Sequence, residues 1–277
     1  MKVCILGVKI DKINQAEAAE LIEKWIWHPG KHYIVTPNPE MIVAAQKDLE
    51  FRRVLNNADL AIPDSSSLGF SYWLLKRNIF LRFLLWPLFF LPVKQLMHFD
   101  KVAGTDLMEA LCKLAAEKGF TTGFLGGENG VAKKCAECLM EKYPNLKVVF
   151  AGSGGEVDNN GQIRGEDLRF TIYDLKKEKN HKSLFVNHKS LPPADLLFVA
   201  FGHIKQEKWM VNNLQKTPAH VMMGVGGAFD YLSGNVPRAP KWVQGLGFEW
   251  LYRLIVQPWR FKRQLSLVKF VWLILFS

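Results

Sequence analysis

Three apolar runs in this sequence end at polar side chains suited to chemistry, each where a strand should give way to a helix. Thr36 and Asn38 follow the first run, Asp64 follows the second, and Lys205 and Gln206 follow the third. The carboxyl ends of strands in an open α/β sheet face one crevice, so we expect these side chains to share a substrate site. The alternative is that they are ordinary helix caps and turn residues.

Two glycine clusters are candidates for phosphate binding. Gly126 and Gly127 lie between a predicted strand and a predicted helix, and Gly226 and Gly227 follow the last predicted strand. Backbone N–H groups at a helix start favour a phosphate, and glycine lets the backbone approach a ligand closely. The spacing does not match the dinucleotide-binding fingerprint. Close packing of helix on strand is the alternative explanation for both clusters.

The positive charge of the chain is concentrated in two segments. Residues 72–101 and 238–277 carry net charges of +4 and +6, which account for the whole net charge of +10. The same segments contain the most apolar runs, 79–93 and 265–276, which are rich in Trp, Phe and Leu. A bilayer-spanning helix needs about 20 predominantly apolar residues. The first run is interrupted by an arginine and two prolines and the second is short, so neither is predicted to span.

Aromatic, apolar runs with basic flanks are typical of segments that lie in the interface of an anionic membrane surface. The alternative is that the two runs pack on each other or across a dimer, which leaves a homo-oligomer open. Nucleic acid is not an expected partner, because the basic residues alternate with Leu and Phe and no recognition motif accompanies them.

Composition limits the class of protein. At 277 residues and 49% hydrophobic content, the chain can form one large domain or a domain plus a tail. The four cysteines lack the spacing of a zinc site, so no structural metal is expected. Residues 1–7 lack the apolar core and cleavage site of a secretory signal, which predicts that the catalytic part stays in the cytoplasm.

The alternation of patterns predicts an α/β fold with a mainly parallel sheet and helices on both faces. Strands are expected near 2–6, 33–36, 58–62, 121–126, 147–151, 195–201 and 220–225. Helices are expected near 14–27, 39–47, 49–57, 104–118, 128–142, 205–214 and 240–256. Residues 154–193 are interpreted as a long surface excursion that holds a short helix or hairpin and no chemistry.

A crevice with one carboxylate and possible phosphate cradles, beside membrane-seeking segments, suggests group transfer from a nucleotide-activated donor to a lipid-borne acceptor. Several motifs then carry a resemblance, in order along nearly the whole chain. They are Thr36–Glu40, Ala58–Asp64, Val102–Leu107, Phe124–Gly127, Gly202–Glu207, Gly224–Asp230, Arg238–Pro240 and Gln257–Arg263. Together these motifs resemble those of the WecG/TagA/CpsF glycosyltransferases.

The resemblance implies both a fold and an activity. The expected fold is a Rossmann-like core over residues 1–237, with an apolar insertion at 75–100 and the excursion at 154–193. A basic, amphipathic C-terminal helical appendage over 238–277 would associate with the membrane and complete the site. The expected activity is inverting transfer of a sugar, typically N-acetylmannosamine, from a UDP-sugar to N-acetylglucosamine on a polyprenyl diphosphate. The setting would be the cytoplasmic face of the membrane, in teichoic acid, capsule or other surface-polysaccharide synthesis.

The resemblance also implies roles for individual residues. Asp64 would be the general base, Thr36 and Asn38 would position donor or acceptor, and Gln206, with Lys205 beside it, would line the same pocket. The appendage arginines would hold the diphosphate; they are Arg253, Arg260 and Arg263. A strand-end carboxylate suits proton abstraction from a hydroxyl, and arginine forks suit a leaving diphosphate. The three arginines share one helical face only if the helix continues through Pro258.

No metal and no cofactor are expected, because the sequence contains no Asp-x-Asp of the kind that binds metal in many nucleotide-sugar transferases. Two positions depart from the family pattern: Ser65 stands where many relatives have glycine, and Ile204 replaces a common proline. The alternative function is a non-catalytic, membrane-associated binder of a nucleotide sugar or lipid diphosphate.

Overall fold

The computed structural model of this protein describes residues 1–90, 101–164, 168–173, 184–188, 190–245, 248–258 and 261–277. Its strands are β1 Lys2–Ile5, β2 Val8–Asp11, β3 His32–Val35, β4 Leu60–Ala61, β5 Thr121–Gly126, β6 Lys147–Gly152, β7 Glu156–Val157, β8 Ile163–Arg164, β9 Leu168–Ile172, β10 Leu184–His188, β11 Ala194–Ala200 and β12 Ala219–Gly224. Its helices are α1 Gln15–Trp27, α2 Pro39–Ala45, α3 Leu49–Asn56, α4 Ser66–Leu75, α5 Ile79–Leu85, α6 Gly104–Lys118, α7 Val131–Lys142, α8 Lys205–Asn213, α9 Ala228–Leu232, α10 Lys241–Gly245, α11 Glu249–Val256 and α12 Phe261–Phe276, with a 3₁₀ turn at Trp86–Phe90.

Within the described ranges, eight strands form the central sheet in the order β10-β9-β6-β5-β11-β12-β3-β4. The six strands from β6 to β4 are parallel, whereas at one edge β9 pairs antiparallel with both β6 and β10. The prediction of an α/β fold with a mainly parallel sheet is therefore confirmed. All six parallel strands end at one edge of the sheet, where the following loops meet.

Both faces of the sheet are covered by helices. Along β11, Leu197 and Val199 belong to one buried cluster with residues of α2, α3 and α4. Leu196 and Phe198 belong to the other, with residues of α1, α6 and α7. This alternation follows from the two-residue period of a strand, and it explains why β11 reads as an uninterrupted apolar run.

The strand predicted at 2–6 lies apart from the central sheet. β1 pairs only with β2, as an antiparallel hairpin in which Ile5 lies opposite Val8. The two turn residues, Leu6 and Gly7, both have positive φ, at 48° and 80°. Positive φ at both positions is the requirement of the tight hairpin turn that matches strand twist.

The 154–193 excursion differs from its interpretation. The expected short hairpin is present as β7 and β8. However, β9 and β10 also extend the central sheet, which the sequence did not predict. The buried ring of Phe170 lies 5.3 Å from that of Phe150 on β6, so burial of an aromatic side chain fixes this edge. The charged run at 174–183 lies outside the described residues.

The C-terminal segment is divided into shorter helices than expected. The helix predicted over 240–256 is α10 followed by α11, and α11 ends before Pro258. Gln257 has φ of −130° and ψ of 73°, outside the helical region. The helix therefore does not continue through Pro258, and Arg253 on α11 and Arg263 on α12 do not share one continuous helical face.

The two apolar runs pack on each other, which was the alternative to a purely membrane-facing role. Phe89 lies edge-on to Phe270, and Phe83 lies edge-on to Phe276. Phe270 and Ile274 of α12 are fully buried and join the core cluster that contains α2. Among the described residues, no helix combines the length and apolar content needed to cross a bilayer.

Candidate active site

A polar cleft of about 1230 Å³ opens at the carboxyl ends of the parallel strands. It contains all five side chains singled out after the apolar runs. These are Thr36, Asn38, Asp64, Lys205 and Gln206. Their grouping follows from parallel strand topology, because β3, β4 and β11 all end at this edge.

The loop after β4 holds Asp64 in the cleft. Its backbone N–H donates to the Pro37 carbonyl at 3.2 Å. Its Oδ1 accepts a hydrogen bond from the Gly104 N–H, at the start of α6, at 2.7 Å. Asp64 is thus fixed between the loop after β3 and the first turn of α6.

The pKa of Asp64 is raised to about 6, mainly because burial disfavours the charged form. The Gly104 N–H and the nearby cations Lys101 and Arg253 act in the opposite direction, and Glu249 adds to the rise. At neutral pH the carboxylate is ionised yet more basic than an exposed aspartate. That combination suits a general base.

Ser65 has a structural explanation. Its side chain caps α4, accepting a hydrogen bond from the Ser67 N–H at 3.3 Å, and its hydroxyl lies 2.7 Å from that of Ser67. Serine is a favoured residue at a helix N-cap. The departure from glycine at this position therefore serves the helix that follows Asp64.

Thr36 and Asn38 combine a place in the cleft with local structural duties. The buried Thr36 hydroxyl donates to the Gly224 carbonyl at 3.2 Å and ties the end of β3 to the end of β12. Asn38 caps α2, and its Oδ1 accepts from the Met41 N–H at 3.0 Å. Both the site interpretation and the capping alternative thus apply to Asn38.

The glycines divide into two groups. Gly127, Gly226 and Gly227 line the cleft, whereas Gly126 does not. A Cβ on Gly126 would lie 2.6 Å from the backbone of Ala200, so close strand packing accounts for that glycine. A Cβ on Gly227 would lie 2.8 Å from a guanidinium nitrogen of Arg253. Glycine there lets an arginine reach the turn between β12 and α9.

In the described part of the chain, Arg253 is the one of the three proposed diphosphate-binding arginines that lines the cleft. Its guanidinium lies 5.0 Å above the ring of Tyr231, and its buried Nε has no hydrogen-bond partner among the described residues. Stacking on an aromatic ring orients a planar fork of donors suited to phosphate oxygens. Arg260 lies outside the described residues. Arg263 lies on α12, but its side chain is not among those described.

An ion network fixes α11, and hence Arg253, to the core. Glu249 accepts from Lys101 Nζ at 2.8 Å and lies 3.5 Å from Arg238 Nε. Arg238 also forms a bidentate pair with Asp106 on α6. Pairing at partly buried positions gives these charges a defined geometry.

Some residues that line the cleft were not predicted. Glu156 and Arg164 of the β7–β8 hairpin do so, although the excursion was expected to hold no chemistry. His203 also lines the cleft, and its Nε2 lies 3.4 Å from Glu40 Oε1 on α2. Its position beside Gly202 was the available sequence signal, whereas nothing in the sequence distinguished Arg164. In the described part of the chain, no group of three or more His, Cys, Asp or Glu side chains is placed to hold a metal ion.

Comparisons with known proteins found similarity along most of the chain. A model of the WecG/TagA/CpsF glycosyl transferase family matches residues 3–277. A Bacillus subtilis (strain 168) protein is 30% identical over 248 residues, which cover 87% of this chain and 80% of that protein. It is named N-acetylglucosaminyldiphosphoundecaprenol N-acetyl-beta-D-mannosaminyltransferase.

Proposed function

This chain belongs to the WecG/TagA/CpsF family of glycosyl transferases, and on that premise we propose that it moves a sugar from a UDP-sugar to N-acetylglucosamine on a polyprenyl diphosphate. The name of the Bacillus subtilis relative supports this acceptor and supports N-acetylmannosamine as the sugar. The product would be a lipid-linked intermediate of teichoic acid, capsule or another surface polysaccharide.

One observation carries the proposal. Asp64, with its pKa raised to about 6, shares a cleft with Arg253 and the Gly226–Gly227 turn. Asp64 takes the proton of the acceptor hydroxyl while the hydroxyl oxygen attacks the anomeric carbon. The bond from that carbon to the UDP oxygen breaks, and its electron pair leaves with the diphosphate. Attack from the face opposite UDP inverts the anomeric configuration.

Positive groups in the cleft would stabilise the departing diphosphate. Arg253 presents its fork of donors beside Gly227, at the turn between β12 and α9. Lys205 lines the same cleft at the first turn of α8. We assign Arg260 and Arg263 to the same diphosphate. These groups supply the charge that a metal ion provides in other transferases, so we propose that the reaction is metal-independent.

The proposed lipid acceptor requires contact with a membrane. Large apolar side chains are exposed on α5 and α12, the two helices that pack on each other. They are Ile79, Phe80, Phe83, Leu84, Phe261, Leu265, Val268, Trp272 and Phe276. With the basic residues of 72–101 and 238–277, this surface is suited to the headgroup region of an anionic leaflet. We propose peripheral attachment at the cytoplasmic face, through an appendage that begins at residue 238.

The test is release of UDP from UDP-N-acetylmannosamine in the presence of a short-chain polyprenyl-diphosphate N-acetylglucosamine. We expect release to require the acceptor and to fall at least about a hundredfold in Asp64→Asn, since a lost general base costs roughly 10² to 10⁴. Glu20→Gln, which changes an exposed carboxylate of α1, is the control.

Two results would contradict the proposal. Unchanged turnover in Asp64→Asn would remove Asp64 as the base. Saturable UDP binding without transfer to any polyprenyl acceptor would instead indicate the non-catalytic binder.

A further inference from the structure

Glu207 is a buried carboxylate that the proposed mechanism does not use. Its side chain is fully buried directly below the cleft, one residue after Gln206. Burial raises the pKa of Glu207 to about 7, although hydrogen bonds to its carboxylate counteract the rise. A buried carboxylate is costly to keep, so its contacts need an explanation.

Both oxygens of Glu207 accept short hydrogen bonds. Oε2 accepts from the Ile204 N–H at 2.6 Å, and Oε1 accepts from Gln206 Nε2 at 2.6 Å. The Gln206 amide then accepts in turn, because its Oε1 lies 3.1 Å from the Gly226 N–H. A continuous chain of hydrogen bonds thus runs from Ile204 through Glu207 and Gln206 to Gly226.

The first end of this chain is a strained turn. Ile204 has φ of 72° and ψ of −56°, which a β-branched residue rarely adopts and which corresponds to the strained form of the γ-turn. His203 and Lys205, on either side of it, both line the cleft. Strain of this kind persists only where surrounding contacts over-determine the backbone.

The second end is the glycine turn beside Arg253. Gly226 has φ of 51°, and Gly227 follows it against the guanidinium of Arg253. The bond from the Gly226 N–H to Gln206 is what joins this turn to α8. The two ends therefore reach two separate segments of the cleft lining, and one carboxylate lies between them.

We propose that Glu207 is a positioning residue that sets the direction of this hydrogen-bond chain and so places both the Lys205 wall and the Gly226–Gly227 turn for the sugar transfer. The inference rests on the proposed function for its catalytic consequence. The ionised Glu207 carboxylate accepts a hydrogen bond at each of its two oxygens. It therefore satisfies both N–H groups that face it. It also turns the oxygen of Gln206, rather than its nitrogen, towards the Gly226 N–H.

Glu207→Gln breaks this chain of hydrogen bonds, whichever way the new side-chain amide is oriented. If the new oxygen accepts from Ile204, its nitrogen faces Gln206, whose amide must then turn its own nitrogen towards the Gly226 N–H. If the new oxygen accepts from Gln206, its nitrogen faces the Ile204 N–H. Either way, one N–H group is left facing another N–H group, and a buried donor loses its partner.

The double variant Gln206→Glu with Glu207→Gln restores every bond. The new glutamine accepts from Ile204 and donates to the new glutamate, whose second oxygen accepts from the Gly226 N–H. Glu50→Gln is the matched control, because Glu50 also contacts α8, through Lys208 Nζ at 2.8 Å, but takes no part in the chain.

The experiment measures backbone hydrogen exchange over residues 224–228 without substrate, and sugar transfer at saturating UDP-N-acetylmannosamine and acceptor. We expect Glu207→Gln to speed exchange of this segment about tenfold and to lower kcat about tenfold or more, as for a displaced stabilising donor. The double variant should return exchange to within about threefold of wild type, and Glu50→Gln should change neither quantity. The swap is judged by exchange alone, because Gln206 itself lines the cleft.

Wild-type exchange at 224–228 in Glu207→Gln would overturn the inference, as would a double variant that exchanges as fast as the single one. Glu207→Asp, which is one methylene too short to reach both partners, gives the same comparison should Glu207→Gln fail to fold. A wild-type protein that transfers no sugar would overturn the proposed function, while the exchange measurements would still decide whether Glu207 positions the turn.

Discussion

Burial raises the pKa of Asp64. The Gly104 N–H and the nearby cations limit this rise, which leaves the carboxylate ionised at neutral pH. A carboxylate with a pKa of about 6 is ionised at neutral pH, whereas the protonated form cannot accept a proton. We therefore expect kcat/KM to fall about tenfold per pH unit below a midpoint near 6. Initial rates between pH 5 and 8 test this, with tryptophan fluorescence to show that the protein stays folded. A flat profile over that range would exclude Asp64 as the titrating base.

Ionisation of Asp64 should lower the stability of the folded protein. Its pKa is about 6 in the folded state against an ordinary 3.8, so the folded state holds the proton more tightly. Stability is then lost as pH rises from about 4 to 6. We expect Asp64→Asn, which cannot ionise, to gain about 2 to 3 kcal/mol over wild type on going from pH 4 to pH 8, at about 1.4 kcal/mol per pKa unit. Urea unfolding of both proteins at the two pH values measures this; an equal difference at both would contradict it.

Arg253 combines a stacked guanidinium with a position against the Gly226–Gly227 turn. Lysine keeps the charge but cannot form a fork or stack in the same way. We expect Arg253→Lys to lower kcat/KM for the UDP-sugar by roughly 10 to 100-fold, through loss of bidentate donation to the diphosphate. The control is Arg77→Lys, because Arg77 stacks on Trp73 outside the cleft. Equal activity in both variants would separate Arg253 from the diphosphate.

At the scale of elements, α12 has one face buried in the core and another exposed to solvent. Phe270 is fully buried in the core, whereas Trp272, two residues later, is 55% exposed. We expect Phe270→Ala to lower the free energy of unfolding by about 3 to 5 kcal/mol. Trp272→Ala should leave stability nearly unchanged and weaken binding to anionic vesicles severalfold. Urea unfolding and vesicle co-sedimentation measure the two effects. Vesicle binding unaffected by Trp272→Ala would argue against this face as the membrane contact.

The β7–β8 hairpin shows what a local sequence pattern does not predict at the scale of elements. Residues 154–193 are rich in glycine and charge, which is typical of a surface loop. The hairpin is there, but Arg164 at its end lines the cleft. Short two-residue strands leave almost no periodic signal, and the direction of a hairpin depends on what it packs against. The local sequence therefore could not predict which residues of this hairpin line the cleft.

At the scale of the whole molecule, the cleft joins parts of the chain that are distant in sequence. The ends of β3, β4, β5, β11 and β12 provide its floor and walls, and α11 brings Arg253 from the C-terminal segment. The network of Lys101, Glu249, Arg238 and Asp106 joins that segment to α6. Because α12 also contributes to the main core, the C-terminal segment packs on the α/β unit while presenting an apolar face outward.

The sequence by itself determined the α/β class, the mainly parallel character of the sheet and the grouping of Asp64 with Thr36, Asn38, Lys205 and Gln206. These follow from local hydrophobic period and from the rule that parallel strands end at one edge, so no long-range information was needed. Only the tertiary structure decided that Pro258 separates two helices, that the apolar runs pack on each other and that Glu207 lies buried beneath Gln206. Each of these depends on which side chains meet across large sequence separations, and burial and hydrogen-bond direction arise only once they meet.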